Sequence, residues 1–345
     1  MSLDLLAASS SRLLDGFRAP LATALIALAI SSFLTPYVRN LAIRKGAVDD
    51  PKIDDRRVHK EPTPRWGGIA IFMGIVIAML VVLPFAYPET RAFPPYLVGI
   101  ILISLLLVLV GAFDDLYQYK AKLQALVLLV AGVAVQFFYD PSATQEARVQ
   151  IQTIGAFSPA GYVALSYLSI PLTALYIFVV TKTMDTIDGV DGLAAGIAAI
   201  SAGTLTLIAA YGGQPRVAII AAAIGGAALG FLRHNYNPAK IFMGTGGAYV
   251  LGFMLACLSI VGALKTAAAV SLFLPVLVFG VPIMDAFIVI IRRLLSGHPI
   301  TQADKRHLHH QLLGRGLSQK QTVWVLYLAA ALLGAVALVV VRGQA

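Results

Sequence analysis

Apolar runs of about 18 residues or more recur along this 345-residue chain, each long enough to cross roughly 30 Å of hydrocarbon. An outer-membrane barrel would instead show strands of ~10 alternating residues, and the sequence has no such pattern. With 59% hydrophobic and 12% charged residues, the chain is too apolar for a soluble domain of its length. The expected fold class is all-α: one polytopic membrane helix bundle, a single domain over residues 1–345. About ten helices are predicted, at 20–38, 67–87, 96–113, 123–139, 161–181, 193–211, 216–233, 247–264, 268–290 and 323–341. Cys257, the single cysteine, lies inside an apolar run, so no disulfide framework is expected. Met1 to Pro20 lacks the pattern of a cleavable signal; its Leu13, Leu14 and Phe17 suggest a short interfacial helix ahead of the first span.

The formal net charge is +9. Topology accounts for it better than nucleic-acid binding does, because the basic residues alternate between connections. The segment 39–65 carries Arg39, Arg44, Lys45, Lys52, Arg56, Arg57, Lys60 and Arg65. The segment 291–322 carries Arg292, Arg293, Lys305, Arg306, Arg315 and Lys320. By the positive-inside rule these face the cytoplasm, and both termini then face out. Most acids fall on the same side, among them Asp114, Asp115, Asp185, Asp188, Asp191 and Asp304. A membrane edge that gathers both signs suits a ligand that is both anionic and metal-bound.

Two acidic groups stand out. In "GAFDDLY" Asp114 and Asp115 close one apolar run, where adjacent carboxylates repel and a helix C-terminus disfavours them. A hard divalent cation would relieve both problems, and one carboxylate could act as a base. In "KTMDTIDGVDGLAAG" Asp185, Asp188 and Asp191 recur every third residue and would share one face of a helix. Gly189 and Gly192 there permit close backbone approach. Asp191 alone could instead cap the next helix. A glycine turn, Gly244-Thr245-Gly246-Gly247, opens a later span; such a turn suits either anion binding or helix packing. The segment "DKRHLHHQLLGRG" groups Arg306, His307, His309 and His310. Without cysteine partners these read as phosphate-binding donors rather than zinc ligands. Carboxylates, a divalent ion and cationic donors together are what phosphoryl transfer requires.

Five ordered segments, "PTPRWGGIAIF", "GAFDDLY", "TIDGVDGLAAG", "NPAKIFMG" and "DKRHLHHQLLGRG", resemble those of the polyprenyl-phosphate N-acetylhexosamine-1-phosphate transferases, over residues 47–318. The resemblance implies a bundle of ten or eleven helices in the bacterial plasma membrane with its site facing the cytoplasm. It implies transfer of a sugar 1-phosphate from a UDP-sugar to undecaprenyl phosphate with release of UMP, at the start of cell-wall or surface-polysaccharide synthesis. The Asp304…His310 form is similar to the N-acetylglucosamine branch. Mg²⁺ is the implied cofactor, with Mn²⁺ as an alternative. The implied partners are the UDP-sugar donor, undecaprenyl phosphate and the bilayer, with no nucleic acid; homodimerisation is left open. The implied catalytic residues are Asp114, Asp115, Asp188 and Asp191. Asp115, Asp185, Asp188 and Asp191 would face the metal. Lys122, Asn235, Arg306, His307, His309 and His310 would bind substrate.

The chain departs from the family pattern in several places. Thr245 stands where the family has an aspartate that ligates magnesium, and Ala248 where serine is usual. Lys182 and Asp185 replace two asparagines, and Gln124 replaces a lysine. Gain of an acid at Asp185 would offset its loss at Thr245. These departures also admit a second reading, a catalytically weakened relative that binds polyprenyl phosphate or acts as an assembly partner. A transporter is a third, though its charges would be expected nearer mid-membrane.

Overall fold

In a computed structural model of the chain, residues 3–51, 61–88, 90, 92–141, 148–155, 162–263, 277–295 and 307–342 are described. The chain folds as α1 (Leu3–Lys45), a two-residue ribbon β1 (Val48–Asp49) with β2 (Thr63–Pro64), α2 (Gly67–Ala86), α3 (Pro95–Tyr117) and α4 (Ala121–Ala134). A second ribbon, β3 (Thr153–Gly155) with β4 (Tyr162–Ala164), precedes α5 (Ser169–Ile187), α6 (Leu193–Tyr211), α7 (Pro215–Asn235) and α8 (Gly244–Ala263). Then come α9 (Gly280–Leu295), α10 (Leu308–Gly314) and α11 (Gln319–Arg342). Both ribbons are antiparallel pairs, Val48 opposite Pro64 and Ile154 opposite Val163.

Eight helices among the described residues are long and apolar enough to cross a membrane. The structure confirms the helical membrane bundle and adjusts its parts. The predicted 123–139 span is the 14-residue α4 followed by a tight 3-10 turn at Val135–Phe137, apolar but short. The predicted 268–290 segment is described only from residue 277, where α9 begins at Gly280. No separate interfacial helix precedes the first span, because α1 runs unbroken for 43 residues through Pro20 and Pro36. α5 continues six residues beyond the expected end at 181. Its polar last turns are satisfied inside the bundle: the Thr181, Thr183 and Thr186 hydroxyls donate to the carbonyls of Ile177, Val180 and Thr183.

α8 is the central post: 89% of its span is buried, against 28% for α1 and 33% for α11. Small residues allow this packing, as expected where lipid is as apolar as the side chains. α7 and α1 touch at Gly226 and Gly230, which lie against the backbones of Ala24 and Leu28. The glycine turn that opens α8 wedges between two helices. A Cβ on Gly68 of α2 would lie 2.8 Å from the Gly246 carbonyl carbon, and one on Gly111 of α3 would lie 2.9 Å from that of Thr245. At this end of the bundle converge the starts of α2, α8 and α11 and the ends of α3, α5 and α7. At the opposite end Tyr211 of α6 meets both Phe17 of α1, with ring centroids 6.0 Å apart, and Arg342 of α11, 4.3 Å over the ring. Phe17 and Arg342 therefore lie at the end of the bundle away from the acids.

Candidate active site

Asp114 and Asp115 occupy the last turn of α3, as expected, and both are buried. Their fates differ. Asp114 is saturated with donors. Tyr119 N reaches Oδ1 at 2.8 Å, Thr245 Oγ1 reaches Oδ2 at 2.7 Å, and Gln124 Nε2 approaches both oxygens at 3.1 Å. It thus ties α3 to α4 and to the start of α8. Asp115 Oδ1 accepts from Thr245 N at 3.1 Å and lies 3.5 Å from Arg65 Nη1. Its Oδ2 is buried and has no hydrogen-bond partner. Such an atom normally costs about 1–3 kcal/mol. Gly244 makes the approach possible: its φ is +69°, and a Cβ there would stand 2.9 Å from Asp115 Cγ.

Arg65 is delivered by the β1–β2 ribbon and anchored by Asp49, 2.6 Å from its Nη2. In the sequence it stands among several loop cations with nothing to single it out. The next residue, Trp66, bonds through Nε1 to Ala112 O at 3.0 Å, which locks the ribbon against α3.

The acidic trio does not share one helical face. α5 stops at Ile187, Asp188 follows it as the capping residue, and Gly189 and Gly192 carry the chain through a turn, Gly192 at φ +81°. Asp185 lies in the last turn of α5 and pairs with Lys182 at 2.6 Å. Asp188 receives no hydrogen bond among the described residues. Burial, then the nearby Asp185 and Asp115 carboxylates, push it up to about 8; Arg65 opposes this and Asp191 adds to it. Asp191 is not a helix cap, because Gly192 holds that position. Its Oδ2 instead accepts from Asn237 Nδ2 at 2.9 Å and Ala239 N at 3.0 Å. Asn235 is likewise committed to backbone: Oδ1 accepts from Gly192 N and Nδ2 donates to Ile241 O, both at 3.0 Å. Tyr327 Oη closes the turn by donating to Gly192 O at 2.6 Å.

The histidines reach the same turn. Asp285 of α9 holds the start of α10, with Oδ2 2.8 Å from His307 Nδ1 and Oδ1 accepting from Leu308 N at 2.6 Å. His309 is buried against Gly189, where a Cβ would come 2.8 Å from its Nε2. His309 stacks with His307 at 5.7 Å and touches His310 at 4.4 Å between ring centroids. Burial, followed by His310, depresses its pKa to about 3; Asp285 opposes and His307 adds. His309 is therefore a neutral hydrogen-bonding group at pH 7. Lys122 is exposed in the first turn of α4. Arg306 lies outside the described residues.

The candidate metal residues thus divide. One oxygen of Asp185 is taken by Lys182 and one of Asp191 by the 237–239 turn, whereas Asp115 Oδ2 is buried without a donor and Asp188 receives none among the described residues. Among the described residues no three His, Cys, Asp or Glu groups are arranged to hold a metal. Two carboxylates still suit a hard cation such as Mg²⁺, which keeps waters and takes substrate phosphate oxygens as its other ligands.

The glycosyl transferase family 4 model matches residues 97–263, which hold both acidic groups and the α8 turn. A probable undecaprenyl-phosphate N-acetylglucosaminyl 1-phosphate transferase from Bacillus subtilis is 35% identical, over 88% of this chain and 80% of its own. A decaprenyl-phosphate N-acetylglucosaminephosphotransferase from Mycolicibacterium smegmatis is 34% identical, over 88% and 78%. An undecaprenyl-phosphate alpha-N-acetylglucosaminyl 1-phosphate transferase from Escherichia coli is 24% identical, over 87% and 78%. With such relatives across nearly its whole length, and with the acids of α3 and α5 gathered at one end of the bundle, the chain belongs to glycosyl transferase family 4.

Proposed function

We propose that the protein transfers N-acetylglucosamine 1-phosphate from UDP-N-acetylglucosamine to a polyprenyl phosphate, undecaprenyl phosphate in the first instance. A lipid phosphate oxygen forms a new bond to the β-phosphorus of the donor. The bond from that phosphorus to the oxygen bridging it to the α-phosphate breaks, and UMP leaves with the electron pair. The observation that carries this reading is the bare Oδ2 of Asp115 beside Asp188, two carboxylate oxygens that call for a cation. Asp115 and Asp188 would hold Mg²⁺, which when bound neutralises charge on the transferring phosphate oxygens. Arg65 lies close enough to Asp115 to share in that neutralisation. Asp114, with every oxygen engaged, positions α3, α4 and α8 rather than moving a proton. Asp191 and Asn235 hold the turn that presents Asp188 and Gly189. Neutral His309 offers a donor or acceptor against Gly189, and His307 and His310 flank it.

The orientation supports a site on the cytoplasmic face of a bacterial plasma membrane. The acidic end of the bundle carries Arg39, Arg44 and Lys45 at the end of α1 and Lys120, Lys122, Lys182, Arg233 and Lys240 near the other helix ends. Both termini would then face outward. One observation favours a binding-only relative: Thr245 occupies the family's acidic position and spends its hydroxyl on Asp114. Purified protein in nanodiscs, given UDP-N-acetylglucosamine, undecaprenyl phosphate and Mg²⁺, decides between the two. UMP release that stops with EDTA is expected; binding of both substrates with no UMP overturns the enzyme reading.

A further inference from the structure

Four of the positions where this chain departs from its family's pattern, 124, 182, 185 and 245, come from three separate stretches of the sequence yet join, through Asp114, in one hydrogen-bonded string. Thr245 Oγ1 donates to Asp114 Oδ2 at 2.7 Å, and Gln124 Nε2 donates to the same carboxylate at 3.1 Å. Gln124 Oε1 accepts from Lys182 Nζ at 2.9 Å, and Lys182 Nζ in turn donates to Asp185 Oδ2 at 2.6 Å. Thr245 and Gln124 meet on the Asp114 carboxylate, and Gln124 carries the string on to Lys182 and Asp185. The charge they carry is also conserved as a set. Lysine, two asparagines and aspartate hold one cation and one anion; Gln124, Lys182, Asp185 and Thr245 hold one of each as well. The cation has moved one hydrogen-bond link along the string, from the tip of residue 124 to its neighbour on α5.

We propose that Lys182 is a phosphate-binding residue of this site, held by Gln124 and Asp185 as positioning residues, and that the four substitutions are a single relocated charge pair. The inference rests on the transferase reading for its phosphate ligand. An ammonium has three donors. Two of them go to Gln124 and Asp185, and the third has no partner among the described residues. The Lys182 side chain is 30% exposed and that of Asp185 20%, so the pair is partly open to solvent rather than sealed in the packed interior. A plain surface pair three residues apart on a helix would be worth little and would not hold one geometry. This one is pinned from a second helix, because Gln124 on α4 fixes the ammonium while its amide nitrogen is fixed by Asp114. Lys182 thereby lies next to Asp185, whose carboxylate acts on Asp188. A phosphate oxygen meeting the metal-facing acids would find this cation at their flank. Asp185, neutralised by Lys182, does not replace the missing metal ligand; it aims the lysine.

The test uses the full-length protein in nanodiscs and measures direct binding of two probes, UDP-N-acetylglucosamine and undecaprenyl phosphate, alongside thermal melting. Lys182→Met is expected to weaken binding of one probe by roughly tenfold to a hundredfold, the range of a lost charge-assisted hydrogen bond, with melting close to wild type. Which probe weakens says whether the donor diphosphate or the lipid phosphate is the ligand. Gln124→Lys added to Lys182→Met returns the cation one link away and is expected to recover most of the loss. Thr245→Asp alone places a carboxylate against Asp114 and Asp115 and is expected to lower melting; the four-residue change to Lys, Asn, Asn and Asp at 124, 182, 185 and 245 is expected to restore it. If Lys182→Met binds both probes as tightly as wild type, or Gln124→Lys recovers nothing, the proposal is overturned. Absence of UMP release with binding intact counts against the transferase reading only, since the binding comparison still decides the role of Lys182. Absence of any binding to wild type overturns both.

Discussion

Gly252→Ala tests whether packing along α8 sets the position of the acidic cluster. Gly252 lies on α8 directly against α5: a Cβ there would be 2.7 Å from Thr181 Cα, 3.2 Å from Thr181 O and 3.2 Å from Met184 Cβ. Ordinary contact begins at 3.4 Å, so α5 must retreat by about 0.7 Å, and the obstacle is backbone, which cannot rotate away. Such overpacking costs roughly 1–3 kcal/mol. The functional effect should exceed the loss of stability, because Thr181 immediately precedes Lys182 and lies one turn from Asp185 and two from Asp188. A misplacement of about 1 Å can cost on the order of a hundredfold in rate; for a shift of about 0.7 Å roughly tenfold or more is expected. Melting in nanodiscs and steady-state UMP release measure the two effects on the same sample. Gly203→Ala is the control, since nothing lies within 4 Å of a Cβ there and alanine favours a helix by up to about 1 kcal/mol. Wild-type melting and wild-type turnover in Gly252→Ala would show that the α5–α8 contact does not fix the site.

Other expectations follow from individual groups. Asp188→Asn should abolish the rise in melting temperature that Mg²⁺ produces while leaving metal-free melting unchanged or higher, because burial and three neighbouring carboxylates already resist charge at Asp188; a full Mg²⁺ response in this variant would remove Asp188 from the metal site. His309 has a folded pKa near 3 against an unfolded value of about 6.5. The unfolded chain therefore binds the extra proton first, and the stability that neutral His309 contributes, complete above about pH 6.5, is lost as pH falls toward 3. Melting recorded across that window should fall less steeply in His309→Gln, and an identical slope would contradict the assignment. Asp191→Ala removes two charge-assisted bonds to the 237–239 turn and should cost roughly 3 kcal/mol; denaturation showing less than 1 kcal/mol would mean the turn is held by other groups.

The helical bundle was legible because hydrocarbon length and backbone satisfaction leave few alternatives for long apolar runs. Helix ends were less legible. At Thr181 to Thr186 polar residues look like an exit from the membrane, but their hydroxyls fold back onto carbonyls one turn earlier, and α5 continues. At Asp185, Asp188 and Asp191 a spacing of three implies one helical face, but α5 ends at Ile187, so only the first acid is helical and Asp188 caps it before the glycine turn. Arg65 was hidden among other loop cations; only the β1–β2 ribbon, whose pairing is invisible in two-residue strands, shows that it is aimed at Asp115. Asp285 is a lone acid near the end of an apolar run, and its task of holding His307 and Leu308 depends on a partner 22 residues away.

Asp114 and Asp115 show most clearly what the sequence holds and what it omits. As neighbours at the end of α3 both oppose the local helix dipole. The fold answers the two problems differently, because successive residues on a helix point about 100° apart. Asp114 turns toward α4 and the α8 turn, where Gln124, Tyr119 and the Thr245 hydroxyl surround it. Asp115 turns toward the first amides of α8, where the positive end of that helix offsets the negative end of α3. Thr245 N and Arg65 reach its Oδ1, and Gly244 presses close without offering a donor to Oδ2. One carboxylate has thus become a fastener and the other keeps an oxygen in reserve, buried and unbonded beside Asp188. Filling that reserve from within, with a serine or asparagine in place of Gly244, would require a Cβ where Asp115 already stands. The same glycine that brings the α8 turn against Asp115 keeps a protein donor from its Oδ2, and on the proposed reading leaves that oxygen for a cation.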